Sequence, residues 1–82
     1  MSKRGMLDQY AEIKAQHPDT VLFFRMGDFY EMFHEDAVLA SEVLGITLTS
    51  RDKKSDDPVP MAGVPWHSVE AYLQGMLRAG HK

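Results

Sequence analysis

A chain of 82 residues without cysteine can hold one domain at most, with neither a disulfide framework nor a cysteine-ligated zinc site. Its formal charge of −3, taken alone, argues against a protein that grips nucleic acid through phosphates, because that affinity comes mainly from Lys and Arg. The 44% hydrophobic and 26% charged residues do not indicate intrinsic disorder, no apolar run reaches membrane length, and no signal-peptide core follows Met1-Ser2-Lys3-Arg4, so a soluble, intracellular chain with no membrane partner is expected.

Met6, Leu7, Tyr10 and Ile13 recur at spacings of three and four among polar residues, which predicts an amphipathic helix from Met6 to Gln16. His17-Pro18-Asp19 stops it, since a residue before proline is pushed out of the helical region. Thr20 to Met26 reads as a strand covered on both faces, built on Val21-Leu22-Phe23-Phe24. Gly27-Asp28 then separates it from Phe29-Tyr30-Glu31-Met32-Phe33, and a two-residue Gly-Asp link signals a type II′ hairpin. That register sets Phe24 opposite Glu31 and Met26 opposite Phe29. The Glu31 carboxylate then shares a face with Leu22, Phe24, Met26 and Phe33, which is costly if that face is dry, so either the hairpin tip is exposed or Phe29 and Glu31 belong to a loop rather than a regular ladder.

His34-Glu35-Asp36 opens a second helix with acidic residues at its dipole-favoured end, and Gly45 caps its C-terminus. Ile46 to Thr49 is a short run of β-propensity, and residues 50–58 read as a mobile polar loop. The prolines of Val59 to Pro65 exclude a central strand there, leaving an edge or an extended segment. Ser68 is the expected N-cap of a third helix carrying Val69, Tyr72, Leu73, Met76 and Leu77, ended by Gly80. The chain then stops where a closing strand is expected, so it reads as cut off. The order of elements predicts an α+β fold, with about three amphipathic helices on a small mixed sheet.

No phosphate-cradling glycine pattern occurs, so ATPase chemistry is not expected of these residues. His34, Glu35 and Asp36 read as solvated first-turn residues rather than as a metal site with His67. Ser41, Ser50, Ser55 and Ser68 read as helix, loop and cap residues, since none sits in a nucleophile elbow. Arg51, Lys53 and Lys54 are nearly cancelled by Asp52, Asp56 and Asp57. Phe29 and Glu31 lie about 7 Å apart on one strand face. Periodicity alone favours a core aromatic and a rim carboxylate over a functional pair.

Phe24-Arg25-Met26-Gly27-Asp28-Phe29-Tyr30-Glu31-Met32-Phe33, the helix 36–44, Leu48-Thr49 and Pro60-Met61-Ala62-Gly63-Val64-Pro65-Trp66-His67 together resemble the N-terminal mismatch-recognition domain of the MutS family of DNA mismatch repair proteins. The opening fits as well, with Tyr10 to Lys14 and Ala15 to Pro18 similar to that family's first helix and its end. The likeness covers residues 1–82 as one C-terminally incomplete domain, lacking the family's closing strand. It implies that Phe29 wedges beside a mispaired or unpaired base from the minor groove and that Glu31 hydrogen-bonds that base. It implies further that Met26, Gly27, Asp28 and Tyr30 support the hairpin, and that Arg51, Met61 and Pro65 lie near the duplex. The implied partner is double-stranded DNA with mismatches or small loops, met in a bacterial-type cytoplasm at the nucleoid. Dimerisation and the ATP and magnesium cofactors are implied for other domains, none of them for this chain, and shared phosphate contacts make the −3 charge intelligible. The alternative reading is a stand-alone module that keeps the fold and binds another protein.

Overall fold

The tertiary structure is organised by an antiparallel sheet whose two faces are treated differently. The computed structural model describes residues 5–51 and 58–82, apart from the Arg51 side chain; Lys53, Lys54 and the rest of the expected polar loop at 52–57 lie outside the described residues. The elements run α1 (Met6–Gln16), β1 (Phe24–Met26), β2 (Phe29–Phe33), α2 (His34–Leu44), β3 (Thr49–Arg51), β4 (Val59–Pro65), a short 3-10 turn (Trp66–Ser68) and α3 (Val69–Arg78). Sheet order is β1-β2-β4-β3, and every pairing is antiparallel. The class is α+β, with all strands alternating in direction rather than mixed.

Strand side chains alternate between faces. One face presents Met32, Ala62 and Val64 to Ala37 and Ala40 of α2 and Met76 of α3, forming the buried core, with Tyr30 packed against its margin. On the other face Tyr10 of α1 covers Phe33 edge-to-face at 5.1 Å and approaches Phe24 at 6.1 Å. The same face continues past Glu31 to Phe29, where exposure rises again.

The turn chemistry follows the residues. Gly27, Gly45 and Gly80 are the glycines with positive φ. Gly45 closes α2 in the left-handed region, its N–H donating to the Ser41 carbonyl oxygen at 3.0 Å. At the end of α3, Gly80 donates to the Leu77 carbonyl oxygen at 3.0 Å and His81 to that of Met76 at 2.9 Å, the paired bonds of a Schellman end. Ser68 holds the N-cap position of α3, yet its side chain makes no capping bond.

The structure corrects four expectations. Asp36 is not solvated: it is 7% exposed, and accepts from the Tyr10 hydroxyl at 2.7 Å, the Lys14 ammonium at 3.0 Å and the Leu22 N–H at 3.1 Å. The first strand is Phe24–Met26 rather than Thr20–Met26, because the Leu22 N–H goes to Asp36 and the Val21 N–H to the Lys82 carbonyl oxygen at 2.7 Å. Val21 to Phe23 are half-buried rather than covered on both sides. The third strand is Thr49–Arg51 rather than Ile46–Thr49, since Ile46 packs on the core directly after the Gly45 cap and the chain needs the next residues to reach the sheet. Ser50 and Arg51 therefore belong to a strand, not to the loop.

Finally, β4 is central despite Pro60 and Pro65, pairing with β2 and β3. In an antiparallel strand successive residues turn their N–H groups to opposite sides. The Trp66 N–H donates to the Asp28 carbonyl oxygen on the β2 side. By alternation the nitrogen of Pro60 also faces the β2 side, where β2 has ended, and that of Pro65 faces the β3 side, where β3 supplies no residue. Neither proline deletes a ladder bond.

Asp36→Ala leaves the Leu22 N–H without its acceptor and the Lys14 ammonium without its carboxylate, and gives the Tyr10 hydroxyl only the longer contacts to the Leu22 and Phe33 carbonyl oxygens at 3.3 and 3.4 Å; it is expected to cost about 3 kcal/mol of unfolding free energy. Tyr10→Phe removes one donor and is expected to cost about 1–2 kcal/mol. In urea denaturation the double variant should cost less than the sum, since both substitutions act on one network.

Candidate functional site

The site is the tip and outer face of the β1–β2 hairpin. Gly27 has φ +60° while Asp28 does not have positive φ, the type II′ pattern that glycine at the first turn position permits. The register is Phe24 opposite Glu31, Arg25 opposite Tyr30 and Met26 opposite Phe29, as the two-residue link requires. On the other side of β2, Phe29 lies opposite Pro65, Glu31 opposite Gly63 and Phe33 opposite Met61.

Met26, Phe29, Glu31, Gly63 and Pro65 thus share one face, with Met61 further along it. Phe29 is 46% exposed, held beside the half-buried Met26 and Pro65. Such a ring is displayed rather than packed away. Tyr30 points to the opposite face, against the core, and supports the hairpin from behind. Asp28 is exposed, and its carbonyl oxygen accepts the Trp66 N–H at 2.8 Å, which ties the turn to the end of β4. Arg51 is at the far edge of the sheet, opposite Val59, separated from β2 by β4.

Glu31 lies on bare backbone. The alternation that places Trp66 in a hydrogen-bonded pair makes Glu31–Gly63 a non-hydrogen-bonded pair, the class with the closer side chains. A β-carbon on Gly63 would sit 2.5 Å from Oε2 and 3.0 Å from Cδ of Glu31, so the carboxylate occupies the space that any other residue would fill. Burial raises the Glu31 carboxyl above its ordinary range. Among the described residues no cation or hydrogen-bond donor compensates that burial. The group is therefore a carboxyl that takes up a proton more readily than a free glutamate, half-hidden next to an exposed ring.

Sequence reasoning missed Gly63 and the bond made by Trp66. A glycine inside a strand does signal close approach of another group, and here that group is Glu31. The Trp66 bond has no local signal, because it depends on the register of β4 against the turn.

The chain matches the sequence profile of MutS domain I over residues 4–82. It is 57% identical over 77 residues to the DNA mismatch repair protein MutS of Staphylococcus saprophyticus, covering 94% of this chain and 9% of that protein. To the DNA mismatch repair protein MutS of Streptococcus suis it is 54% identical over 76 residues, covering 93% of this chain and 9% of that protein. The chain thus spans about a tenth of the length of these relatives, and that tenth is a recognisable unit. It belongs to the MutS domain I family.

Proposed function

We propose that this domain senses mispaired or unpaired bases in duplex DNA as part of a DNA mismatch repair protein, with Phe29 as the wedge and Glu31 as the base contact. The observation that carries the reading is the pairing of an exposed Phe29 ring with a half-buried carboxyl on one open sheet face. A ring entering the minor groove stacks on any base, so it tests how easily a step is unstacked and kinked rather than which letters it holds. Mispaired steps open at lower cost, and specificity arises from that deformability.

Glu31 adds a second test. An ionised carboxylate next to phosphates is repelled, which penalises undistorted duplex. A protonated carboxyl donates a hydrogen bond to a ring-nitrogen acceptor of an opened base. Burial on Gly63 already favours the protonated form, and the field of the phosphates acts in the same direction. Met26 and Pro65 flank the wedge, Gly27 and Asp28 form its turn, and Tyr30 backs it. Met61 and Arg51 are secondary in this reading, lying progressively further from the tip. Dimerisation and magnesium-ATP chemistry are assigned to other parts of such a protein, and its setting to the bacterial cytoplasm.

Binding by the intact protein to duplexes with and without one mispair, followed by fluorescence anisotropy, tests the reading. Phe29→Ala is expected to reduce the preference for the mispaired duplex roughly ten- to hundredfold. Equal affinities for the two duplexes, unchanged by Phe29→Ala, would overturn it in favour of a protein-binding module. Glu31→Gln keeps a donor and loses the charge, so it should retain the preference and tighten binding to paired duplex. Complete loss of the preference in that variant would rule out the protonated donor.

Gly63→Ala must displace the Glu31 carboxyl, and is expected to weaken mispair preference in the direction of Glu31→Ala while leaving Phe29 in place. Stability has a matching signature. Because the folded-state pKa of Glu31 is raised, the fold loses stability as pH climbs from the unfolded carboxyl value through the higher folded one. Urea unfolding of Glu31→Gln and the parent should therefore coincide at about pH 3 and diverge toward neutrality, with the variant the more stable.

A further inference from the structure

On the face of the hairpin opposite Phe29, one cation is engaged by three different parts of the tip. The Arg25 guanidinium carbon lies 5.7 Å from the centre of the Tyr30 ring and 5.1 Å from that of Trp66. Its Nε–H donates to the carbonyl oxygen of Gly27 at 2.6 Å. The carbonyl oxygen of the other turn residue, Asp28, is held by the Trp66 N–H at 2.8 Å. Both peptide oxygens of the two-residue turn are therefore anchored to one corner, made by Arg25 and Trp66.

We propose that Arg25 is the positioning residue of the reading hairpin, clamping the Gly27-Asp28 turn against the Tyr30 and Trp66 rings so that Phe29 is held in its exposed orientation. Three physical constraints favour this role over that of a solvated cation. β1 is a three-residue edge strand held on one side only, so the Arg25 end of the turn is restrained by a short ladder to β2 and gains from added contacts. A guanidinium satisfies flat rings and a peptide carbonyl together, because its donors lie in the plane that stacks; lysine offers only a point charge. Arg25 and Tyr30 also form a directly opposed cross-strand pair, so the stack is built into the register.

Trp66 explains the remainder. It is 47% exposed, an unusual position for the largest apolar side chain unless its face has a use. Here its ring is a platform for the cation while its backbone holds Asp28. Since strand side chains alternate, Arg25 is on the opposite face from Phe29 and acts on the wedge through the turn backbone rather than by touching the base.

The inference rests on the wedge reading of Phe29, and a double-mutant cycle separates the two. In the intact protein, Arg25→Met and Trp66→Leu are each expected to lower the preference for mispaired over paired duplex about three- to tenfold. Arg25→Lys should recover part of the loss, keeping a cation over the rings without the Nε donor. Added to Phe29→Ala, Arg25→Met should cause no further loss, because a clamp with no wedge to aim has nothing left to affect.

An Arg25→Met effect fully additive with Phe29→Ala, together with a salt dependence reduced by about one phosphate contact, would overturn the clamp and make Arg25 a direct DNA contact. Unchanged discrimination in both Arg25→Met and Trp66→Leu, where Phe29→Ala abolishes it, would refute the clamp and leave the wedge standing. Unchanged discrimination in Phe29→Ala would refute the wedge and the clamp together.

Discussion

The architecture hangs on one buried carboxylate. Asp36, in the first turn of α2, accepts hydrogen bonds from α1 through Tyr10 and Lys14 and from the approach to β1 through the Leu22 N–H. Lys14 also donates to the Thr20 carbonyl oxygen, so the same ammonium fixes the chain before β1. A single buried anion is expensive unless its lone pairs are filled, and here three donors fill them. The Tyr10 phenol is held well above its ordinary pKa by burial and by its hydrogen bond to the Asp36 carboxylate, which favours the protonated, donating form. Because Leu22 spends its N–H on Asp36, the sheet begins late. β1 is confined to the three residues nearest the turn, and the hairpin projects as a short, separately braced unit.

The bend into α2 makes that network possible. His34 follows β2 without a linker and adopts φ +57°, a left-handed conformation that a residue with a β-carbon enters at a cost. The reversal brings Asp36 back beneath Tyr10 while Phe33 remains in the sheet under the Tyr10 ring. One side of the sheet is thereby closed by α1 at its Phe33 end and left open at its Phe29 end. The same alternation that buries Met32 in the core sends Glu31 to the open side. A carboxyl there needs no dry pocket, only a neighbour without a side chain, which Gly63 provides.

The parts legible in the sequence were those set by local geometry. Gly27-Asp28 favours one loop length and one turn type, so the turn itself sets the register of three residue pairs and puts Phe29 beside Glu31 without help from any tertiary contact. The helices followed from their apolar spacing, and the left-handed caps from glycine. What escaped was long-range. Asp36 looks like any acidic residue at a helix start; only the arrival of Tyr10, Lys14 and Leu22 from distant positions buries it. Pro60 and Pro65 look like strand breakers, and their tolerance depends on where β2 and β3 end, which no window around β4 contains. The Ile46 to Thr49 run has β-propensity, yet packing of Ile46 on the core moves the strand to Thr49–Arg51.

The charge of the chain bears on the proposed function through the same separation of tasks. A surface rich in Lys and Arg binds all duplexes tightly, and its phosphate contacts carry no information about the state of a base pair. A reading surface gains selectivity when its own contribution to undistorted duplex is small or repulsive. The open face is built in that way, with an apolar ring and a carboxyl at the tip and a net charge of −3 over the chain. Among the described residues the cation at the tip is Arg25, which is turned to the other face and engaged by two rings and a turn carbonyl. On this reading the hairpin spends its positive charge on rigidity instead of affinity. A wedge that is already oriented loses little entropy on insertion, so the difference in DNA deformation between paired and mispaired steps is passed on to the binding free energy nearly undiluted.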